Sequence, residues 1–415
     1  MTLSEELTWR GFVNQTTFKD ISQLDKEQIT FYWGVDPSAD SMHIGQLAMT
    51  MMIRRFIKQG HKPVLLVGGA TGLIGDPDGK DKERDLKSVE EIEANKKGIA
   101  AQYKKLFDGY DVQMVDNYDW FKGIGYLQFL RDIGKHVPMR QMLGREFVQT
   151  RLHEDGAGIS YAEFSYALIQ GYDFLHLYRE FGVTMQVCGS DQWGNSIAGV
   201  ELIRRIEGAE SHIWSAPLVI NKTTGKKFGK SEEGAVWLDP AKTSPFAFYQ
   251  FWINADDKGV EDYLKIFTEL DKPTIEAIVK DHTHEPSARI AQKRLAYEVT
   301  SLVHGKKVAD AVANATAILY GNGSYNDLTK DDFEVLKNEL RYSEGHEQPI
   351  VDILVTNGLA QSKTEARQYL QSNAIYINGQ QIPLSKTTID ASDAIHGYVI
   401  IRRGKNQQML YKITD

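Results

Sequence analysis

The chain has 415 residues, too many for one ordinary core, so two or three domains are expected. Its 42% apolar and 25% charged residues are ordinary for a soluble globular protein, and no apolar run approaches the ~20 residues that span a bilayer. The lone cysteine, Cys188, excludes an internal disulfide and a cysteine metal cluster, and the net charge of −8 taken alone argues against a polyanion partner.

That charge is unevenly spread. From Pro349 onward seven Lys/Arg face five acidic residues, a net +2 against −10 elsewhere, so the placement of basic residues matters more than their sum. The opening Met-Thr-Leu-Ser-Glu-Glu has neither a basic region nor an apolar core. A secretory signal is therefore not expected, and a cytoplasmic location with no membrane partner is.

In chain order, an extended run Ile29–Trp33 enters the turn Gly34-Val35-Asp36-Pro37-Ser38, which leads to His43-Ile44-Gly45-Gln46 and a helical pattern stopped by Gly60. The start of such a helix offers unpaired N–H groups and a positive dipole end, which suits a phosphate. A continuous apolar strand, Pro63–Gly68, completes a β–α–β unit. Asp111–Val115, Thr184–Val187 and Trp214–Ile220 read as further strands with helices between them. The fold class expected is α/β: a Rossmann-like doubly wound parallel sheet with a ligand at the carboxyl ends of its strands.

Residues 245–320 read as mostly helical, and 321–348 as a polar linker in which Phe333 to Leu340 has the makings of a short helix. Ser362 and Glu365 then form a capping box before a helix. Ala374–Gly379 is strand-like and turns at Asn-Gly, and Val399–Lys405 is a strand ending in a basic cluster. The expected division is a catalytic domain over 1–225, a loop and α-helical domain over 226–320, a linker over 321–348, and an α+β domain over 349–415.

The His43-Ile44-Gly45 triplet alone fits a surface turn, and so does Lys226-Lys227-Phe228-Gly229-Lys230-Ser231. Together, with Gly68–Pro77 and Gly189–Asn195 between them, they resemble the "HIGH" and "KMSKS" elements of class I aminoacyl-tRNA synthetases, and among these the bacterial tyrosyl-tRNA synthetase family. The tail is similar to S4-type RNA-binding modules. The resemblance implies ATP, with Mg2+, as co-substrate; L-tyrosine and tRNA(Tyr) as partners; and a homodimer.

It also implies a set of residues. His43, Gln46, Lys80, Arg84, Lys227, Lys230 and Ser231 would act on the phosphates. Most family members carry a second histidine where this chain has Gln46, whose amide donates but carries no charge. Tyr32, Asp76, Tyr166, Gln170, Asp173 and Gln186 would hold tyrosine. Gly34, Asp36, Ser38, His43, Gly45, Gly189, Asp191, Gln192, Leu218, Val219 and Lys230 would hold ATP. No protein metal ligands are expected.

The physical reading is consistent with this. Tyr166, Gln170 and Asp173 share one helix face by spacing, and an amphipathic core helix is the plain alternative. Adenylation needs no side-chain nucleophile, because the attacking carboxylate is already ionised; positioning and charge stabilisation suffice. The run Gly69–Gly75 is not G-x-G-x-x-G, which disfavours a dehydrogenase. The expected activity is tyrosine–tRNA ligation through an enzyme-bound adenylate. The alternatives are a tryptophan enzyme of the same class, a non-catalytic RNA-binding paralogue, and a free-standing adenylating enzyme. Cys188 reads as a buried structural thiol.

Overall fold

A computed structural model describes residues 1–77, 86–153, 156, 158–231, 234–321, 323–404 and 407–414. These fall into two compact units: Met1–Leu238 with Asp256–His284, and Asp239–Ala255 with Glu285–Asp415.

The first unit is built on a six-stranded sheet: β1 (Gln15–Thr16), β2 (Thr30–Val35), β3 (Lys62–Val67), β4 (Gln113–Asp116), β5 (Met185–Gly189) and β6 (His212–Ala216). Their spatial order is β1-β6-β5-β2-β3-β4, parallel except for β1, which runs antiparallel to β6. The chain winds outward from β2 to β4 and then returns to the other side of β2. The switch point therefore lies between β2 and β5, where a doubly wound sheet opens a crevice at its carboxyl ends. The strand expected over Trp214–Ile220 stops at Ala216, so Leu218 and Val219 lie beyond the sheet, on the approach to the second motif.

The Tyr161–Phe181 helix lies against the sheet face that carries Tyr32, Val64 and Leu66, burying Phe174, Leu175 and Leu177 there. Ser160 caps it, accepting from the Glu163 amide at 3.3 Å, and Gly182 ends it in the left-handed region. It crosses the Trp193–Ile206 helix closely. A Cβ at Gly199 would stand 2.7 Å from the Phe174 Cβ, so a larger residue there would force the two helices apart.

The second unit combines the helices Pro245–Ile253, Ile290–His304, Lys306–Tyr320 and Lys330–Lys337 with a five-stranded sheet. Residues 321–348, expected as a linker, contribute a helix and an edge strand to it. The Lys330–Lys337 helix lays Phe333 on Tyr398, with centroids 4.9 Å apart and planes 13° apart. Arg341–Gly345 pairs in parallel with Gln407–Ile413 as the edge strand. The polar composition of that stretch belongs to a capped helix and a half-exposed edge. The core beneath collects Ile350, Ile353, Leu354, Ile375, Val399, Ile401 and Met409.

Candidate active site

The first motif is shaped by its own hydrogen bonds. His43 is the N-cap of the Ile44–Lys58 helix in extended conformation, and its Nδ1 accepts from the Gly45 amide at 2.9 Å. The Gln46 side chain reaches back, its Oε1 accepting from the His43 amide at 2.9 Å. This is a reciprocal capping box. With Nδ1 accepting, the neutral imidazole carries its proton on Nε2. Gln46, expected beside His43 on the phosphates, spends its carbonyl oxygen on the helix cap. Gly45 has a second purpose too: a Cβ there would lie 2.7 Å from His43 Cε1, so only glycine lets the ring fold over the helix start.

The second motif packs directly on the first. Met42–Ile44 exchange hydrogen bonds with the chain after the loop: the Ile44 amide donates to the Val236 carbonyl at 3.1 Å, and the Leu238 amide to the Met42 carbonyl at 2.9 Å. Val236 in turn donates to the Gly229 carbonyl at 3.0 Å. Gly229 has φ +91°, and a Cβ on it would meet the Ile44 Cβ at 3.1 Å. Two segments nearly two hundred residues apart are thus joined through backbone and a glycine contact. Lys227 is exposed beside them. Of Lys230 and Ser231 only the backbone is described, paired with Ala235 and Gly234. Lys80 and Arg84 lie outside the described residues.

On the nucleotide side, Gly34, Ser38 and Asp191 are exposed at the strand ends. A Cβ at Gly189 would strike Asp191 Oδ1 at 2.6 Å and stand 4.0 Å from Leu218, so Leu218 adjoins this glycine. Val219 supplies the carbonyl that accepts from the Phe228 amide at 2.8 Å. Ser38 and Asp36 line a cleft with Gly72, Gly75 and Lys87. Lys87 was not singled out from the sequence; it pairs with Glu91 one helical turn on.

The deeper pocket is rich in acceptors. Tyr32 and Gln186 are register partners on β2 and β5. Asp173 is buried, its oxygens accepting from Asn117 Nδ2 at 3.0 Å and Trp120 Nε1 at 2.9 Å. Burial pushes its carboxyl well above the usual carboxylate range, against the pull of those two hydrogen bonds and with a further push from Asp36 and Asp116. Burial, and then Asp173, raise the Tyr32 phenol as well. Among the described residues the Tyr32 hydroxyl, Gln170 Oε1 and Gln186 Oε1 are buried without a hydrogen-bond partner. Buried polar atoms mostly find partners, and open ones lining a pocket suit a polar ligand.

A hydrogen-bonded chain runs along its wall. Tyr166 donates to Asp36 Oδ2 at 2.6 Å, Thr71 donates to Asp36 Oδ1 at 2.6 Å, and Asn117 donates to Thr71 at 3.1 Å and to Asp173. Asp36, expected on ATP, is therefore the partner of Tyr166 and Thr71. Gln192, also expected on ATP, donates to Asp76 at 2.6 Å. Sequence reasoning missed Asn117 and Trp120. Asn117 directly follows β4, and the rule that ligands gather at the carboxyl ends of parallel strands points to it. Cys188 is buried with its thiol pushed up to about 12 by burial, as an inert structural thiol should be.

The chain is similar to known proteins along most of its length. The family described as tRNA synthetases class I (W and Y) matches residues 24–321, and that described as Tyrosine--tRNA ligase SYY-like C-terminal domain matches 334–411. A Tyrosine--tRNA ligase of Geobacillus kaustophilus is 44% identical over 422 residues, covering 99% of this chain and 100% of its own. One from Staphylococcus haemolyticus is 46% identical over 420 residues, covering 98% of each. The crystal structure of a C-terminally truncated Aspergillus nidulans mitochondrial tyrosyl-tRNA synthetase is similar with a TM-score of 0.68 at 33% identity, covering 75% of this chain and 92% of that one.

Proposed function

The chain belongs to the class I tyrosine–tRNA ligases, and from that premise we propose that the crevice between β2 and β5 holds tyrosine in its acceptor-rich depth and ATP at its mouth. The observation that carries this is the set of unpartnered buried atoms on Tyr32, Gln170 and Gln186 beside Asp173. The substrate phenol donates to Asp173 and meets the Tyr32 hydroxyl. Its ammonium group lies among Asp76, Tyr166 and Gln170, where acceptors outnumber donors.

The tyrosine carboxylate then attacks the α-phosphorus of ATP, the bond to the β-phosphate bridging oxygen breaks, and pyrophosphate leaves. His43 presents Nε2–H to the phosphates, and Lys227 with Lys230 receives the charge growing on the leaving group. In the second step a hydroxyl of the terminal adenosine of tRNA attacks the tyrosyl carbonyl and AMP departs. Mg2+ arrives on the ATP phosphates; among the described residues no three His, Cys, Asp or Glu side chains are grouped to hold a metal.

The tRNA is held in part by the C-terminal module. Its basic side chains are stacked on aromatic rings, Arg402 over Tyr376 at 3.9 Å and Arg403 over Tyr369 at 4.8 Å, an arrangement that keeps guanidinium planes ordered at a surface. The working form is a cytoplasmic homodimer. In support, five large apolar or aromatic residues between 126 and 161 are more than half exposed: Tyr126, Leu127, Met139, Leu152 and Tyr161. Sedimentation of the full chain should give twice the monomer mass, and a monomer at working concentration sinks that part.

Pyrophosphate exchange into ATP tests the chemistry. It should require tyrosine, and aminoacylation should require tRNA(Tyr). Exchange driven by tryptophan and not tyrosine would overturn the reading.

A further inference from the structure

The loop that carries Lys227 rests on two supports. One is the backbone pairing with Met42–Ile44 described above. The other is the Val260–Phe267 helix of the same unit. Phe228 stacks on Tyr263 with centroids 4.1 Å apart and planes 24° apart, and Phe267 borders the same ring at 6.0 Å. The Tyr263 hydroxyl donates to Asp256 Oδ1 at 2.8 Å and lies 3.4 Å from the Ile220 carbonyl. Ile220 is bridged to Lys227 across the base of the loop. One buried side chain therefore touches both limbs: the entering limb through its hydroxyl and the leaving limb through its ring.

Neighbouring contacts agree. Lys222 pairs with Asp262 at 2.7 Å, and Thr223 donates to Asp256 at 3.2 Å. Space for the ring is reserved by Gly259, where a Cβ would fall 2.5 Å from the Tyr263 hydroxyl. The helix is itself moored to the first-motif helix. Glu269 takes Arg54 at 2.7 Å, Arg55 at 2.5 Å and Lys58, while Arg10 and Arg55 donate to the Thr268 carbonyl.

We propose that Tyr263 is a positioning residue for amino-acid activation: it seats Phe228, and through that seat holds the adjacent Lys227 facing the departing pyrophosphate. This rests on the role given above to the lysine-bearing loop. The seat acts on the transition state more than on tyrosine binding, because the charge that the loop is assigned to meet grows as pyrophosphate departs. A misplacement of about 1 Å in such a group costs on the order of 10- to 100-fold in rate.

The test uses the full-length enzyme in single-turnover adenylate formation with tyrosine and Mg-ATP. Tyr263→Leu removes the ring, and Tyr263→Phe keeps it. With Tyr263→Leu the rate at saturating ATP should fall by about 10-fold or more, with the Kd for tyrosine close to wild type. Tyr263→Phe should stay within about threefold, and trypsin should cut after Lys226 or Lys227 faster in Tyr263→Leu than in wild type or Tyr263→Phe. Phe228→Leu removes the same stack from the other side and should reproduce the Leu phenotype, so a folding failure at 263 leaves the question open to measurement. Lys227→Met separates the two levels of the reading. If it leaves the rate unchanged, the loop's role fails. If it slows activation while Tyr263→Leu and Phe228→Leu run at wild-type rate, the seat fails alone.

Discussion

Asp173 is costly to bury, and its place in the pocket serves a purpose. Burial disfavours its ionised form, yet Asn117 and Trp120 both aim donors at it, an outlay that makes sense if a third donor, the substrate phenol, completes its shell. Phenylalanine would leave that shell and the Tyr32 hydroxyl unsatisfied, at ~1–3 kcal/mol. Replacing Asp173 with Ala should therefore raise kcat/KM for phenylalanine relative to tyrosine by roughly 10-fold or more, read by pyrophosphate exchange with each amino acid. An unchanged ratio would remove Asp173 from the specificity pocket. Helical spacing made the shared face of Tyr166, Gln170 and Asp173 legible from the sequence, while their assignment to a tyrosine pocket came from the family resemblance alone. Their partners were not legible. The link from Asp36 through Thr71 and Asn117 to Asp173 joins segments that follow three different strands to a residue on a helix, and no local pattern encodes that proximity. Gln46 carries the same lesson. Its side chain could be compared with the family's histidine, but its engagement in a helix cap is visible only once the backbone is placed.

Among the elements, the Val260–Phe267 helix and the turn after it matter beyond their size. The carbonyls of Lys265, Thr268 and Leu270 accept from Arg10, so the helix end is closed by a guanidinium drawn from the first helix of the chain. Glu269 completes the joint. Burial alone would raise its carboxyl, but Arg55, Lys58 and Arg54 outweigh that and hold it down to about 2. Its folded value lies below the unfolded one, so it stabilises the fold above the unfolded value and loses that contribution as pH falls toward 2. Discounted for partial exposure, the amount is roughly 2 kcal/mol. Urea unfolding of Glu269→Gln at pH 7 should show a loss of about that size, and the gap from wild type should close as pH is lowered from about 4.5 to 2.5. A gap that stays constant with pH would show that the charge is not what holds the joint. None of this joint was anticipated: the segment read as part of a separate helical domain, since its helical period and turn residues say nothing about which core it joins.

At the scale of the whole chain, the parallel, doubly wound character of the main sheet followed from short apolar runs alternating with helical ones, and the order of its strands did not. The ends of the strands were less secure, as the early stop of β6 at Ala216 shows. Burial sets the run of apolar residues, whereas pairing partners set where a strand stops. The compact units cut the chain at Leu238 and again around Asp256–His284, so the chain leaves the first unit, returns to it and leaves again. Composition changes once near Thr243 and cannot reveal a double crossing.

The edge strand Arg341–Gly345 bears on how this protein can be divided in the laboratory. It covers one side of Gln407–Ile413, in which Met409, Leu410 and Tyr411 are buried. The Tyr411 hydroxyl donates to the His346 carbonyl at 2.7 Å, and the Thr414 amide to the Gly345 carbonyl at 2.9 Å. A fragment begun at Pro349, where the sequence suggests a border, would bare that long apolar strand to any other chain with a free edge. Light scattering should find the 349–415 fragment aggregating, while one begun at Ser324 stays dispersed. Equal solubility of the two would mean the strand is dispensable. The polar stretch that resembled a tether is, on this account, a shield against self-association.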